Sequence, residues 1–269
     1  DTLTLSGTLS VNSTGYTISD GTLGISGGVL EISENLSIDS DITHLSSGNI
    51  SVETDKILTY TGTSTEVGAL TLTLSGGGNI QTTNDLTLND PDSILSLNDI
   101  NISGVSVTGE LSNGMLSVDN DSSIETLNLN SSSRVKLLDD VSLTVQNLFE
   151  VPQNKSMELI GTDNGTLILG DQLTLSGILK FSSPGTISNG KLILSGGTLD
   201  VNEDFSVSSD ISHIDDSNIN VTDTKILSYS GEAIEIGSLS LTFSGGGSFE
   251  NTNNIIFNEP DSILTLNEI

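Results

Sequence analysis

Residues 3–38 read LTLSGTLSVNSTGYTISDGTLGISGGVLEISENLSI, and the placing of the aliphatic side chains in this stretch decides the fold. They come in pairs one residue apart, Leu3/Leu5, Leu9/Val11, Tyr16/Ile18, Leu23/Ile25, Leu30/Ile32 and Leu36/Ile38, and a new pair starts every six or seven residues. Period-two spacing is that of a short strand with one face buried, because successive side chains of a strand point to opposite faces. The Ser-Gly, Asp-Gly and Asn-Ser groups between the pairs are turn formers. Three such strands make one rung of about twenty residues. A marker of Gly, any residue, aliphatic, any residue, aliphatic recurs at Gly7, Gly28, Gly48 and Gly68, and again at Gly177, Gly197 and Gly237, with Ser217 in the intervening slot.

A larger repeat encloses these rungs. Residues 26–100 align without a gap on residues 195–269, and 38 of the 75 positions are identical. His44 pairs with His213, Lys56 with Lys225, Tyr60 with Tyr229, the SGGG at 75–78 with that at 244–247, and PDSIL at 91–95 with that at 260–264. Residues 1–169 therefore form a first super-repeat and 170–269 part of a second, within one continuous body over 1–269. LSNGML at 111–116 matches ISDGTL at 18–23 and ISNGKL at 187–192, so rungs are expected to continue through the centre. FEVPQNK at 149–155 is the least regular piece and reads as a loop leaving the body.

The fold expected is all-β, a parallel β-helix (β-solenoid) of three short strands per rung, each strand pairing with its counterpart one rung away. About thirteen rungs at roughly 4.8 Å give a rod of roughly 60 Å. Tandem immunoglobulin-like domains are the rival, but they call for longer strands, repeats near ~100 residues and a buried aromatic anchor. A single rung hides about six aliphatic side chains at about 1.5–3 kcal/mol each. Ordering twenty residues costs about 1.5 kcal/mol apiece. Stability must come from the interfaces between rungs. Neither end carries a recognisable cap, and the expectation is that further copies of the unit flank the chain and that exposed ends associate.

Composition narrows the function. The chain has 36 acidic residues against six Lys and one Arg, Arg134, for a formal net charge of −29. Such a surface repels phosphate backbones and anionic membranes, so neither nucleic-acid binding nor membrane insertion is expected. There is no Cys, hence no disulfide and no thiolate metal site. No apolar run approaches the ~18 residues of a membrane span. Asn-x-Ser/Thr occurs at Asn12, Asn35, Asn49, Asn101 and Asn220, as this composition produces by itself.

Catalytic chemistry finds little to stand on. Lyases built on a parallel β-helix need basic residues to neutralise a uronate and remove its proton, and the hydrolases pair carboxylates across the scissile bond. Here there are one Arg and two His, and each His recurs in both copies; His44 and His213 are read as surface or turn residues. No catalytic residue is assigned, and the chain is expected not to be an enzyme. Carboxylates at Asp119 and Asp121, Asp90 and Asp92, and Glu259 and Asp261, with Asp39 and Asp41, are candidate oxygens for weakly bound Ca2+, the one cofactor considered. They match neither an EF-hand loop nor the GGxGxD calcium repeat, and solvated turn carboxylates are the plainer reading. Lys56 and Lys225 are expected to snorkel or to pair with neighbouring acids, and each SGGG to be a tight turn. An ice-binding Thr ladder fails, because Gly24 and then His44 follow Thr4 at twenty-residue steps.

LTLSGTLSV at 3–11, LILSGGTLDV at 192–201 and NISGVSV at 101–107 resemble the repetitive β-helix passengers of bacterial autotransporters and filamentous-haemagglutinin-type adhesins. The resemblance covers the whole chain and rests on motifs of low specificity. It implies an extracellular or cell-surface rod that mediates attachment or forms surface structure, and it carries over no functional residue. The expected role is a structural or adhesive segment of a long repetitive bacterial surface fibre. Its expected partners are further copies of its own repeat, end to end or laterally, and a host or cell-surface glycan or protein receptor. The alternative is a carbohydrate-active β-helix, a polysaccharide lyase or hydrolase or a tailspike-like protein.

Overall fold

The structure, a computed structural model, describes residues 1–63, 65–109, 114–129 and 132–269. Among the described residues there are 36 strands and no helix, and so none long and apolar enough to cross a membrane. The residues gather into two compact units, Asp1–Asn128 and Leu129–Ile269, a division that does not coincide with the super-repeat junction. Each unit is a parallel β-solenoid whose strands fall into three sheets.

In the first unit, sheet 1 stacks Thr2–Leu5, Thr22–Ser26 and Asp41–Ser46. Sheet 2 stacks Thr8–Val11, Val29–Ile32, Gly48–Val52, Thr71–Ser75, Ile94–Asn98 and Met115–Asn120. Sheet 3 stacks Thr17–Ile18, Leu36–Ile38, Ile57–Tyr60, Asn79–Thr82 and Asn101–Gly109. In the second unit, sheet 2 runs from Ser133–Leu137 to Ile263–Asn267, sheet 3 from Ser142–Val145 to Ser248–Asn251, and sheet 1 from Phe149–Val151 to Ile255–Phe257. Among the described residues the named ladders are parallel, and a strand such as Thr198–Val201 pairs with a neighbouring coil on each side, which satisfies its N–H and C=O groups.

The alternation read from the sequence is the alternation of burial. Leu30 and Ile32 lie inside while Glu31 is exposed, and Leu199 and Val201 lie inside beneath Thr198 and Asp200. Stacking in register builds interior columns such as Leu179, Leu199, Ile219 and Phe243. Phe181 and Phe205 stack across the interior with centroids 3.7 Å apart and planes nearly parallel. Large apolar side chains lose their cover in the first and last coils, where Leu3, Tyr16, Phe257, Ile263 and Leu266 are exposed.

Two expectations are corrected. The FEVPQNK stretch is not a loop: Phe149–Val151 is a strand paired with Gln172–Leu175, with Phe149 and Val151 both buried. Its irregular part is only the turn that Lys155 N–H closes on Pro152 O at 3.0 Å, since Phe149 and Val151 obey the period of two. After the Gly68 and Gly237 markers the strands begin at Thr71 and Ser240, with Leu72/Leu74 and Leu241/Phe243 inside. Register partners there lie 24 residues apart, Gly48 with Leu72 and Ser217 with Leu241, and such longer coils raise the mean period to roughly 21. The histidines are treated below. Of LSNGML, residues 111–113 lie outside the described residues, while Met115 and Leu116 open a strand as expected.

The SGGG segments are tight turns, as expected. Gly76 and Gly77 have φ of +109° and +80°, and a Cβ on Gly76 would sit 2.5 Å from Val52 O. Gly245 and Gly246 repeat the same values of φ in the second unit. Only glycine tolerates both the backbone and the close approach.

Candidate functional site

The candidate calcium carboxylates are dispersed and serve their own turns. Asp90 Oδ1 accepts the N–H of Asp92 at 3.0 Å, and the N–H of Asp90 donates to Ser93 Oγ at 2.9 Å. Ser93, fully buried, donates its hydroxyl to Gly68 O at 2.6 Å and so staples this turn to the preceding coil. The second copy repeats the staple: Glu259 N–H donates to Ser262 Oγ at 3.1 Å, and Ser262 to Ile236 O at 2.8 Å. Asp92, Glu259 and Asp261 are exposed. Asp119 takes the hydroxyls of Ser96 at 2.7 Å and Ser117 at 2.9 Å, one on each oxygen, and Asp121 lies exposed beyond the strand end. Among the described residues no group of three or more His, Asp or Glu is placed to hold a metal ion.

Cations sit opposite acids one coil away. Lys56 Nζ lies 2.9 Å from Glu34, and its repeat Lys225 pairs with Glu203, as expected from the sequence. On the outer face of sheet 2 in the second unit the register aligns Arg134, Glu158, Lys180 and Asp200, alternating in sign from coil to coil. Lys180 reaches Glu158 at 3.1 Å. The Glu158 carboxyl is held below its ordinary range, first by the Ser182 hydroxyl at 2.6 Å and then by Lys180 and Arg134, against the opposing effect of burial. Parallel stacking puts equivalent positions directly over one another, so alternation of sign converts a repulsive ladder into an attractive one. The partly exposed Lys180–Glu158 pair contributes about 0.2–1 kcal/mol.

Other polar side chains also bridge coils. Asn35 and Asp204 accept the N–H of Ile57 and Ile226, both at 3.0 Å. Asp41 accepts from Thr63 N–H at 3.0 Å and Asp210 from Glu232 N–H at 2.9 Å. Residues 21–26 apart in sequence are joined by Ser10 to Glu31 and by Ser75 to Asn49.

The two buried tyrosines form a corner that sequence reasoning did not single out. Tyr60 Oη accepts Ile42 N–H at 3.1 Å and donates to Thr63 O at 2.5 Å; Tyr229 Oη accepts Ile211 N–H at 3.1 Å and donates to Glu232 O at 2.7 Å. Gly62 and Gly231 leave room for it, since a Cβ on either would lie 2.7 Å from the phenolic oxygen. The signal available was the retention of both Tyr and Gly in the two copies.

His44 and His213 correct the surface reading. Their register partners in sheet 1 are interior residues, Ile25 and Leu194; His213 is only 4% exposed and His44 is partly buried. A β-bulge follows each, and the displaced neighbours, Leu45 at 55% and Ile214 at 59%, stand outside. The signal was again present, as Ile42-x-His44 has the spacing of Leu23-x-Ile25.

The interior of the first unit holds a cavity of about 20 Å3, lined among others by Ile42, Tyr60, Thr65, Leu74 and Ile80. That is about the room one water needs. Compared with protein-family models, with curated proteins and with solved structures, the chain matches none.

Proposed function

We propose that the chain is a structural or adhesive segment of a long, repetitive, extracellular bacterial surface fibre, and that it carries no catalytic activity of its own. The observation that carries this reading is the use of the polar side chains. Acids, amides and hydroxyls that a hydrolase or lyase would gather into one cleft are instead distributed from coil to coil, bonded to the neighbouring coil, and repeated in the second copy. A scaffold needs this arrangement, because a coil is stable only through its neighbours. The acidic exterior keeps such a body soluble at high local density. Further copies of the repeat are the partners this reading favours, with a cell-surface glycan or protein as receptor.

Incubating the chain with neutral and uronate polysaccharides, while following new reducing ends and unsaturated uronates, tests the absence of catalysis. No cleavage is expected, and binding to intact cells or to purified surface glycans is. Depolymerisation that disappears on replacing His44, His213, Lys56 or Lys225 would establish a carbohydrate-active enzyme instead.

A further inference from the structure

His44 and His213 place an ionisable ring inside an aliphatic column. In the first unit the column runs Leu5, Ile25, His44. In the second it runs Val151, Leu175, Leu194, His213, Ile236, Phe257. One ring nitrogen meets a backbone carbonyl of the following coil, His44 Nδ1 to Val67 O and His213 Nε2 to Ser240 O, each at 3.2 Å. A carbonyl only accepts, so these nitrogens carry the proton and donate it. The other nitrogen, Nε2 of His44 and Nδ1 of His213, is enclosed and has no partner. The neutral ring fits, because its bare nitrogen asks for no acceptor. A second proton would create a charge in the aliphatic column and an N–H donor with no hydrogen-bond partner in place, opposed by the backbone groups of Thr71 beside His44 and Asp215 beside His213, which favour the proton.

We propose that His44 and His213 are acid-operated latches: each neutral ring holds its coil closed, and on taking a proton it leaves the interior and frees the strand that carries it. The bulge beside each ring is where the ladder yields first, since two residues there oppose one and Leu45 or Ile214 already lies outside. Burial pushes both imidazoles below their ordinary value, and the backbone hydrogen bonds act in the opposite direction. Around His44, strand Thr22–Ser26 and segment 67–71 bring no titratable group; Glu66 of Thr65–Glu66 is exposed and occupied by Asn89, and Asp41 by Thr63 N–H. Around His213, Asp215 and Asp216 favour the proton; Asp216 also accepts Ser240 N–H at 2.7 Å, and Asp210 accepts Glu232 N–H. Lys191 and Glu235 of the adjoining strands are exposed. Ser46 and Ser47 replace those two aspartates in the first copy, so the latch at His44 is the more resistant to acid.

The unfolded ring takes its proton near pH ~6.5 and the folded ring only below that, so the unfolded state binds more protons across the interval. The latch is therefore whole above pH ~6.5 and weakens as pH falls from there toward the depressed folded value. Each ring can multiply the opening equilibrium of its own unit by at most about tenfold per pH unit.

Hydrogen exchange of the 269-residue chain, compared at matched pH with His44→Leu and His213→Leu, tests the device. Between pH ~7.5 and ~5.5 the opening equilibrium of peptides covering Asp41–Ser46 and Asp210–Asp215 is expected to rise in the wild type. Each Leu variant should lose that rise in its own unit and keep it in the other. No rise in the wild type, or an equal rise in the variants, would overturn the proposal. Should a variant fail to fold, NMR titration of the two imidazoles in the wild-type chain decides: both must titrate below the ordinary value, and titration of both at or above it refutes the latch.

Discussion

Thr65 is buried, 2% exposed, and its hydroxyl has no hydrogen-bond partner. It borders the interior cavity of the first unit. The second copy places Ile234 there, with Phe243 and Phe249 in place of Leu74 and Ile80, and the two rings pack 4.6 Å apart. Thr65→Ile should therefore stabilise the first unit. Removing an unsatisfied buried hydroxyl recovers about 1–3 kcal/mol. The extra carbon adds about 0.8 kcal/mol if the cavity receives it without strain. A net gain of about 1–3 kcal/mol is expected, allowing for some overpacking. The reciprocal Ile234→Thr introduces the same orphan hydroxyl and a new void, and should cost the second unit about 2–4 kcal/mol. Because the chain has two compact units, one global transition would blur the result, so the assay is urea unfolding followed by hydrogen exchange at Ile57–Tyr60 and Ile226–Tyr229. Opposite signs, each confined to its own unit, are required. A Thr65→Ile variant no more protected than wild type would show that the hydroxyl is solvated and the cavity cannot take the added carbon.

Tyr229→Phe should destabilise the second unit by about 1–3 kcal/mol in the same assay, because Ile211 N–H loses its acceptor in a buried corner; an unchanged midpoint would mean that water replaces the phenol. Melting temperature should rise as ionic strength goes from ~0.01 M to ~0.15 M, where the screening length falls from ~30 Å to ~8 Å. The net charge of −29 outweighs the few ion pairs that salt also weakens, and a falling or flat series would contradict this. Glu158 titrates below its ordinary value when folded, so it contributes stability above the unfolded carboxyl range near ~4.3 that is lost as pH falls toward the folded value. Glu158→Gln should remove that part of the acid dependence, as read by melts from pH ~6 to ~3, and an identical profile would refute it.

Much of this molecule was legible before any coordinates. A strand with one buried face has a strict period of two, and a coil must be stacked to be stable, so the pairs from Leu3/Leu5 to Leu36/Ile38 and their recurrence dictate strands, turns and a parallel solenoid. The pairing of Lys56 and Lys225 with acids followed from a charge-poor set of cations on an acidic surface, although which acids they meet did not. What sequence could not supply was the registry between coils, since the turns vary in length and a shift of one residue exchanges inside for outside. Gly68 and Gly237 show this, for the strands that follow them begin three residues on, at Thr71 and Ser240. Registry alone aligns Arg134, Glu158, Lys180 and Asp200, turns Asp119 toward two serines instead of a cation, and joins Tyr60 to Ile42 N–H. It also decides that His44 and His213 lie within the aliphatic columns, where the polarity of the residue type suggests the surface and only the stacked neighbours reveal the interior.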